Sequence, residues 1–204
     1  MSYKNDTEFA MRNLIELAMR EETELNNRSR VLQEAEARLR VHQWDFQSSD
    51  LNDDFSDAYV MAAFARAGRA GEEVSAIQRE VARLQATVGA QQHSIQAICG
   101  SILQIAKQGI SLVHGDLAAA PQGRILGTSS LKDIVWQARN QALHYEDGRF
   151  NPAVTVLFAS LAASHGPQFS LATHAGLCLA RQIVHLLGWQ TYDQYVADAR
   201  LLGF

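Results

Sequence analysis

The chain has 204 residues, a formal net charge of −4 and hydrophobic side chains at 47% of its positions, enough apolar surface for one substantial core. It has no stripe of Lys and Arg, which argues against a protein that binds the phosphate backbone of long duplex nucleic acid. No segment is apolar for long enough to span a bilayer and the N-terminal residues lack a signal-peptide core, so the sequence predicts a cytoplasmic protein without membrane contact.

The first half of the chain predicts a long helical hairpin. Apolar residues recur every seven positions from Met11 to Phe46, which indicates one long helix with an imperfect seam. From Val74 to Ile105 they follow alternating steps of three and four, which predicts a second helix over residues 72–113, roughly 60 Å long. A short helix over residues 55–67, ending near Gly68, is expected to link them. The antiparallel pair is interpreted either as bundle core or as an extension for dimerisation or for a partner protein.

The second half predicts a loop followed by further helices. The loop of residues 114–130 contains Gly and Pro but no phosphate-binding pattern, so at most a positioning role is expected. A helix then begins at Ser129 or Ser130 as N-cap and ends before Gly148. Later helices are predicted over residues 151–163, 170–187 and 191–202. We expect residues 1–113 and 114–204 to form one continuous all-α domain, a helical bundle with the hairpin in its N-terminal half.

Several residue types favour structural roles over chemistry. Cys99 and Cys178 each lie among apolar neighbours, which favours buried free thiols. The histidines outside the helix of residues 131–145 form neither H-E-x-x-H nor a Cys/His zinc pattern, so no metal and no cofactor are expected. His174 and His185 are interpreted as satisfied core histidines. Four cations are interpreted first as solvated surface residues and second as phosphate contacts: Arg124, Lys132, Arg149 and Arg181.

The helix of residues 131–145 carries the most informative group of polar side chains. With Arg139 at zero, Asn140 falls near 100° and His144 near 140°, with roughly 7.5 Å of axial rise from Arg139 to His144. The opposite side carries an apolar stripe that predicts the buried face: Leu131, Ile134, Val135, Ala138, Ala142 and Tyr145. Trp136 and Leu143 project between Arg139 and His144, away from that stripe. This strip indicates contact with another helix, for example of a second copy, or else a helix buried all round, with Arg139 snorkelling.

The spacing of Arg139, Asn140 and His144 resembles the R-x4-6-H motif, often RNxxxH, of the HEPN superfamily, over about residues 131–187. The resemblance implies an all-α fold, a homodimer and, as in many members, a metal-independent endoribonuclease whose active site is composed of two such motifs at the dimer interface. It also implies RNA as the substrate and a role as a toxin or phage-defence effector with a possible antitoxin or defence-system partner.

The chemistry implied by this resemblance is attack of a ribose 2′-hydroxyl on its own phosphate. His144 could transfer protons because imidazole titrates near neutrality. Arg139 could stabilise the charge of the transition state, and Asn140 could orient the imidazole or donate to the phosphate. Trp136 and Leu143 would lie at the dimer interface near the site.

Two alternatives accompany the nuclease hypothesis. One is a non-catalytic HEPN-like dimeric binding or scaffold module, favoured by the low basicity and the coiled hairpin. The other is a toxin controlled by an antitoxin that modifies a tyrosine in an H-x-Y pattern. Tyr145 follows His144 directly here, which departs from that pattern.

Overall fold

The computed structural model describes residues 3–48 and 57–204, with side chains described at 3–44, 61, 65 and 67–204. The described residues form six α-helices, one short 3-10 helix and a pair of two-residue strands. By contacts the chain divides into two compact units, one made of Met1–Glu22 and His93–Phe204 and the other of Thr23–Gln92. The predicted all-α class is confirmed.

Two long helices dominate the N-terminal half: α1, Tyr3–Ser48, and α2, Asp57–His114. Within the unit Thr23–Gln92, Gln85 donates to Glu36 over 3.0 Å and Arg38 lies 3.2 Å from Glu80. From the first contact to the second, the residue number rises on α1 and falls on α2, so the two helices run antiparallel in this unit. The predicted long hairpin is therefore confirmed.

The predicted short helix over residues 55–67 and the predicted start of the second helix at residue 72 are wrong. The helix α2 runs from Asp57 without a break, and Gly68 lies inside it. A glycine in a helix costs only about 1 kcal/mol relative to alanine, and the Ala, Arg and Glu residues that follow favour helix. The predicted start of the short helix near residues 52–55 lies outside the described residues.

The predicted loop is confirmed over most of its length, and it contains one local pairing. The strands β1, Ile125–Leu126, and β2, Ser129–Ser130, pair antiparallel across Gly127. Gly127 has φ 61°, a left-handed conformation that glycine adopts without steric cost. The loop is tied to the next helix by Lys132, whose ammonium donates to the carbonyls of Leu117, Ala118 and Ala120.

Three predicted helices after the loop are confirmed, each with a side-chain cap. These are α3, Leu131–His144, capped by Ser130; α4, Pro152–His165, capped by Asn151; and α6, Tyr192–Leu201, capped by Thr191. In each, the side-chain oxygen of the cap accepts from a backbone N–H of the first turn, which otherwise has no partner within the helix.

The predicted helix over residues 170–187 is wrong for its first ten positions. A 3-10 helix, Pro167–Phe169, precedes a series of turns, and only Ala180–Leu186 forms a helix, α5. Gly176 has φ 69°, which a right-handed helix does not allow. The side chain of Gln141 also binds the backbone of Leu177 and Leu179.

The helix α3 packs against α4 and α5. Its predicted buried face is confirmed for Leu131, Ile134, Val135 and Ala138, which are at most 1% exposed, whereas Ala142 and Tyr145 are only half-buried. Gln137 and Gln141 are buried as well.

The surface interpretation is wrong for three of the four cations. Arg124 binds the buried carboxylate of Asp198 with two nitrogens, at 2.7 and 2.8 Å. Lys132 binds the loop carbonyls, and Arg181 pairs with the buried side chain of Glu22. Packing supplies each cation with acceptors that lie distant in sequence.

Among the described helices, none combines the length and the apolar character needed to cross a membrane.

Candidate functional site

The side chain of Arg139 is held in place by neighbours on two helices. Its Nε donates to Gln104 Oε1 of α2, and its Nη1 donates to Asn140 Oδ1 over 3.4 Å. The side chain is half-buried, and this partial desolvation lowers the pKa of Arg139 below its ordinary value. A guanidinium still keeps its charge at neutral pH, so Arg139 presents a fixed cation beside α2.

Asn140 belongs to the same chain of hydrogen bonds. Its amide oxygen accepts from Arg139, and its Nδ2 donates to Gln137 Oε1 over 3.2 Å. The side chain of Asn140 thus contacts Arg139 and Gln137, and its amide binds the guanidinium rather than the imidazole of His144.

His144 is the last residue of α3, and its side chain is 58% exposed. Its Nδ1 lies 3.3 Å from a carboxylate oxygen of Asp147. A carboxylate on one ring nitrogen orients the imidazole and favours the tautomer with its proton at Nδ1. The Nε2 atom is then left to accept or to donate a proton at the surface.

Trp136 and Leu143 differ in how far the chain covers them. The ammonium of Lys107 lies 4.2 Å from the centroid of the Trp136 ring, a cation–π contact that half-buries the indole. Leu143 is 55% exposed. The strip predicted beside the motif is therefore present, with its tryptophan covered partly by α2 and its leucine open.

Sequence reasoning missed Gln104 and Lys107 of α2, whose side chains contact Arg139 and Trp136 respectively. They are three positions apart, a spacing that places both on one side of a helix. Both are polar residues beside the apolar Leu103, Ile105 and Ala106, but this polarity does not reveal which helix they meet.

Gln141 is a third missed residue, and its role is structural. It is 1% exposed; its Nε2 donates to the carbonyl of Leu177 over 2.8 Å and its Oε1 accepts from the N–H of Leu179 over 3.0 Å. The amide thus replaces backbone hydrogen bonds that the non-helical segment before α5 cannot make for itself.

The two cysteines are free and buried, as predicted. Burial raises the pKa of both thiols, that of Cys99 to about 12, so each remains a neutral thiol at physiological pH. Within the described ranges, no three His, Cys, Asp or Glu side chains are grouped so that they could hold a metal ion.

Comparisons of the chain with models of protein families, with curated proteins and with solved structures found no match.

Proposed function

We propose that the protein is a metal-independent endoribonuclease of the HEPN type, cleaving RNA at a site composed of two copies of α3. One observation carries the proposal: Arg139 is held by Gln104 and Asn140, while the imidazole of His144 is exposed on the same helix. A fixed cation and an accessible proton-transfer group are the two components that cleavage through the ribose 2′-hydroxyl requires.

In the proposed reaction the 2′-oxygen attacks the adjacent phosphorus while a general base removes its proton. The bond from phosphorus to the 5′-oxygen breaks, and a general acid protonates the leaving oxygen. The products are a 2′,3′-cyclic phosphate and a 5′-hydroxyl. Arg139 stabilises the added negative charge on the phosphorane through charge-assisted hydrogen bonds.

A second copy of the chain completes the proposed site because one His144 cannot act as base and acid in the same step. A two-fold axis beside α3 would bring two His144 side chains to one phosphate. The exposed Leu143 and the half-covered Trp136 lie beside the motif and supply apolar surface for such an interface.

The test is cleavage of single-stranded RNA by His144→Ala and Arg139→Ala. We expect losses of about 10²–10⁴-fold and 10²–10³-fold respectively, the ranges found for a proton-transfer group and for one donor to transition-state charge. Exposed residues provide matched controls, and His93→Ala and Arg200→Ala are expected to cleave at the wild-type rate. Activity is expected to survive EDTA. A requirement for magnesium, or wild-type activity in both motif variants, contradicts the proposal.

A second candidate function is a dimeric scaffold without catalysis, and the hydrogen bonds of Arg139 favour it. Its contacts with Gln104 and Asn140 also suit a residue that only fixes α3 on α2. This candidate predicts no cleavage of any RNA, together with a lower melting temperature for Arg139→Ala and an unchanged one for His144→Ala.

As the finer biological proposal, the nuclease acts as a toxin or phage-defence effector restrained by a partner protein. Expression of the wild type without that partner is then expected to arrest growth, whereas His144→Ala is tolerated. Equal toxicity of both forms contradicts this role.

A further inference from the structure

A cavity of about 470 Å³ lies between the end of α4, the 3-10 helix and α5. Its walls include His165, Phe169, Arg181, Gln182 and Leu186, and none of the motif residues of α3 lines it. Its volume falls within the range of small-molecule sites. Because the motif residues of α3 are not among its lining residues, this cavity is separate from the proposed nuclease site.

One wall of this cavity is fixed by a buried carboxylate. The side chain of Glu22, 11% exposed, accepts from Arg181 Nε over 2.8 Å and from His185 Nε2 over 2.6 Å. The other ring nitrogen of His185 lies 3.2 Å from Gln190 Nε2. A buried carboxylate is stable only when it is paired and hydrogen-bonded, so Glu22 holds both side chains in one orientation.

The contact with Glu22 engages only the Nε of Arg181. Among the described residues, none accepts a hydrogen bond from its two terminal Nη groups, and the side chain is 31% exposed at the cavity wall. The free edge of a guanidinium matches two oxygens of a carboxylate or a phosphate. Because Glu22 sets the plane of the guanidinium, that edge is already oriented before a ligand arrives.

Two more polar atoms of the lining residues are without a partner. Gln182 Oε1 and His165 Nε2 are buried, and among the described residues neither has a hydrogen-bond partner. Buried polar atoms without partners are uncommon in native proteins, so each of these two atoms calls for a partner such as a bound water. Phe169 and Leu186 add apolar surface to the same walls.

We propose that this cavity binds a small organic oxyanion. The carboxylate or phosphate group of the ligand lies on the free edge of Arg181, and its apolar body lies against Phe169 and Leu186. Glu22 and His185 are positioning residues that hold the guanidinium and the wall of the cavity. The proposal does not depend on ribonuclease activity.

Calorimetric titration of the 204-residue chain tests this proposal with three probes that share a phenyl ring: benzoate, phenyl phosphate and the neutral benzamide. We expect saturable binding of benzoate, of phenyl phosphate or of both, with benzamide at least about tenfold weaker, because charge-assisted hydrogen bonds to Arg181 are lost. The comparison of benzoate with phenyl phosphate identifies the preferred anionic group.

Two variants locate the binding. Arg181→Gln removes the charged edge, and Leu186→Trp fills the cavity while leaving the contacts of Glu22 intact. Each variant is expected to lower the affinity for the anion by at least about tenfold. The exposed Arg200→Gln serves as the matched control and is expected to bind as the wild type does. Wild-type binding in Leu186→Trp, equal binding of benzamide and the anions, or no binding of either anion at millimolar concentration overturns the proposal.

Discussion

Replacement of Gln141 by leucine tests whether a polar residue inside the motif is structural. The side chain is 1% exposed and joins α3 to the backbone of Leu177 and Leu179. Leucine matches the size of glutamine but makes neither hydrogen bond. The N–H of Leu179 then stays buried without a partner, whereas the carbonyl of the half-exposed Leu177 can turn to water.

The expected loss of stability is the sum of two costs, one for the unpaired N–H of Leu179 and one for the lost hydrogen bond to the carbonyl of Leu177. A buried donor left without a partner costs about 1–3 kcal/mol, and the loss of one ordinary hydrogen bond costs about 1 kcal/mol. We therefore expect the free energy of unfolding to fall by about 2–4 kcal/mol. For a chain of this size that corresponds to roughly 4–16 °C in melting temperature.

Urea unfolding followed by circular dichroism measures this change. The exposed Gln108→Leu on α2 is the matched control and is expected to stay within about 0.5 kcal/mol of the wild type. RNA cleavage per folded molecule is expected to be unchanged in Gln141→Leu, in contrast to His144→Ala. A stability equal to that of wild type would show that the hydrogen bonds of Gln141 do not stabilise the segment before α5.

Two further predictions concern residues of α2. Gln104→Ala releases Arg139 without removing its charge, so we expect the rate of RNA cleavage to fall by about tenfold, the equivalent of one lost hydrogen bond of roughly 1.4 kcal/mol. Cleavage is expected to recover in Gln104→Glu and to stay unchanged in Gln108→Ala. A loss as large as that of Arg139→Ala would contradict a positioning role for Gln104. Cys99 has its pKa raised by burial from 9.0 to about 12, so the folded state disfavours the thiolate and stability falls as pH rises from about 9 towards 12. Between pH 7 and pH 10 the free energy of unfolding of the wild type is expected to fall by about 1–2 kcal/mol more than that of Cys99→Ala. Identical pH profiles of unfolding would refute this contribution.

The sequence by itself determined the features that depend on neighbours a few positions away. The heptad spacing on α2 indicated a long amphipathic helix. Asn151, Thr191 and the pair Ser129 and Ser130 marked where three helices begin, because a cap binds only the first turn of its own helix. The 3.6-residue period placed Arg139 and His144 on one side of α3 before any contact was known.

The same local rules failed where the competing interaction was distant. The sequence pattern predicted a helix end at Gly68, but α2 continues through this residue. The free-energy cost of one glycine is small beside that of breaking a packed helix. Residues 170–179 read as helix, yet their backbone is bound by Gln141 from another element.

Only the tertiary structure decided which polar side chains meet. Gln104 reaches Arg139 across 35 positions, and Glu22 reaches Arg181 and His185 across 159 and 163 positions. Periodicity gives the direction of each side chain from its own helix axis, but the partner depends on the packing of the helices. That packing follows from burying many apolar side chains together, and no single segment of the sequence contains that information.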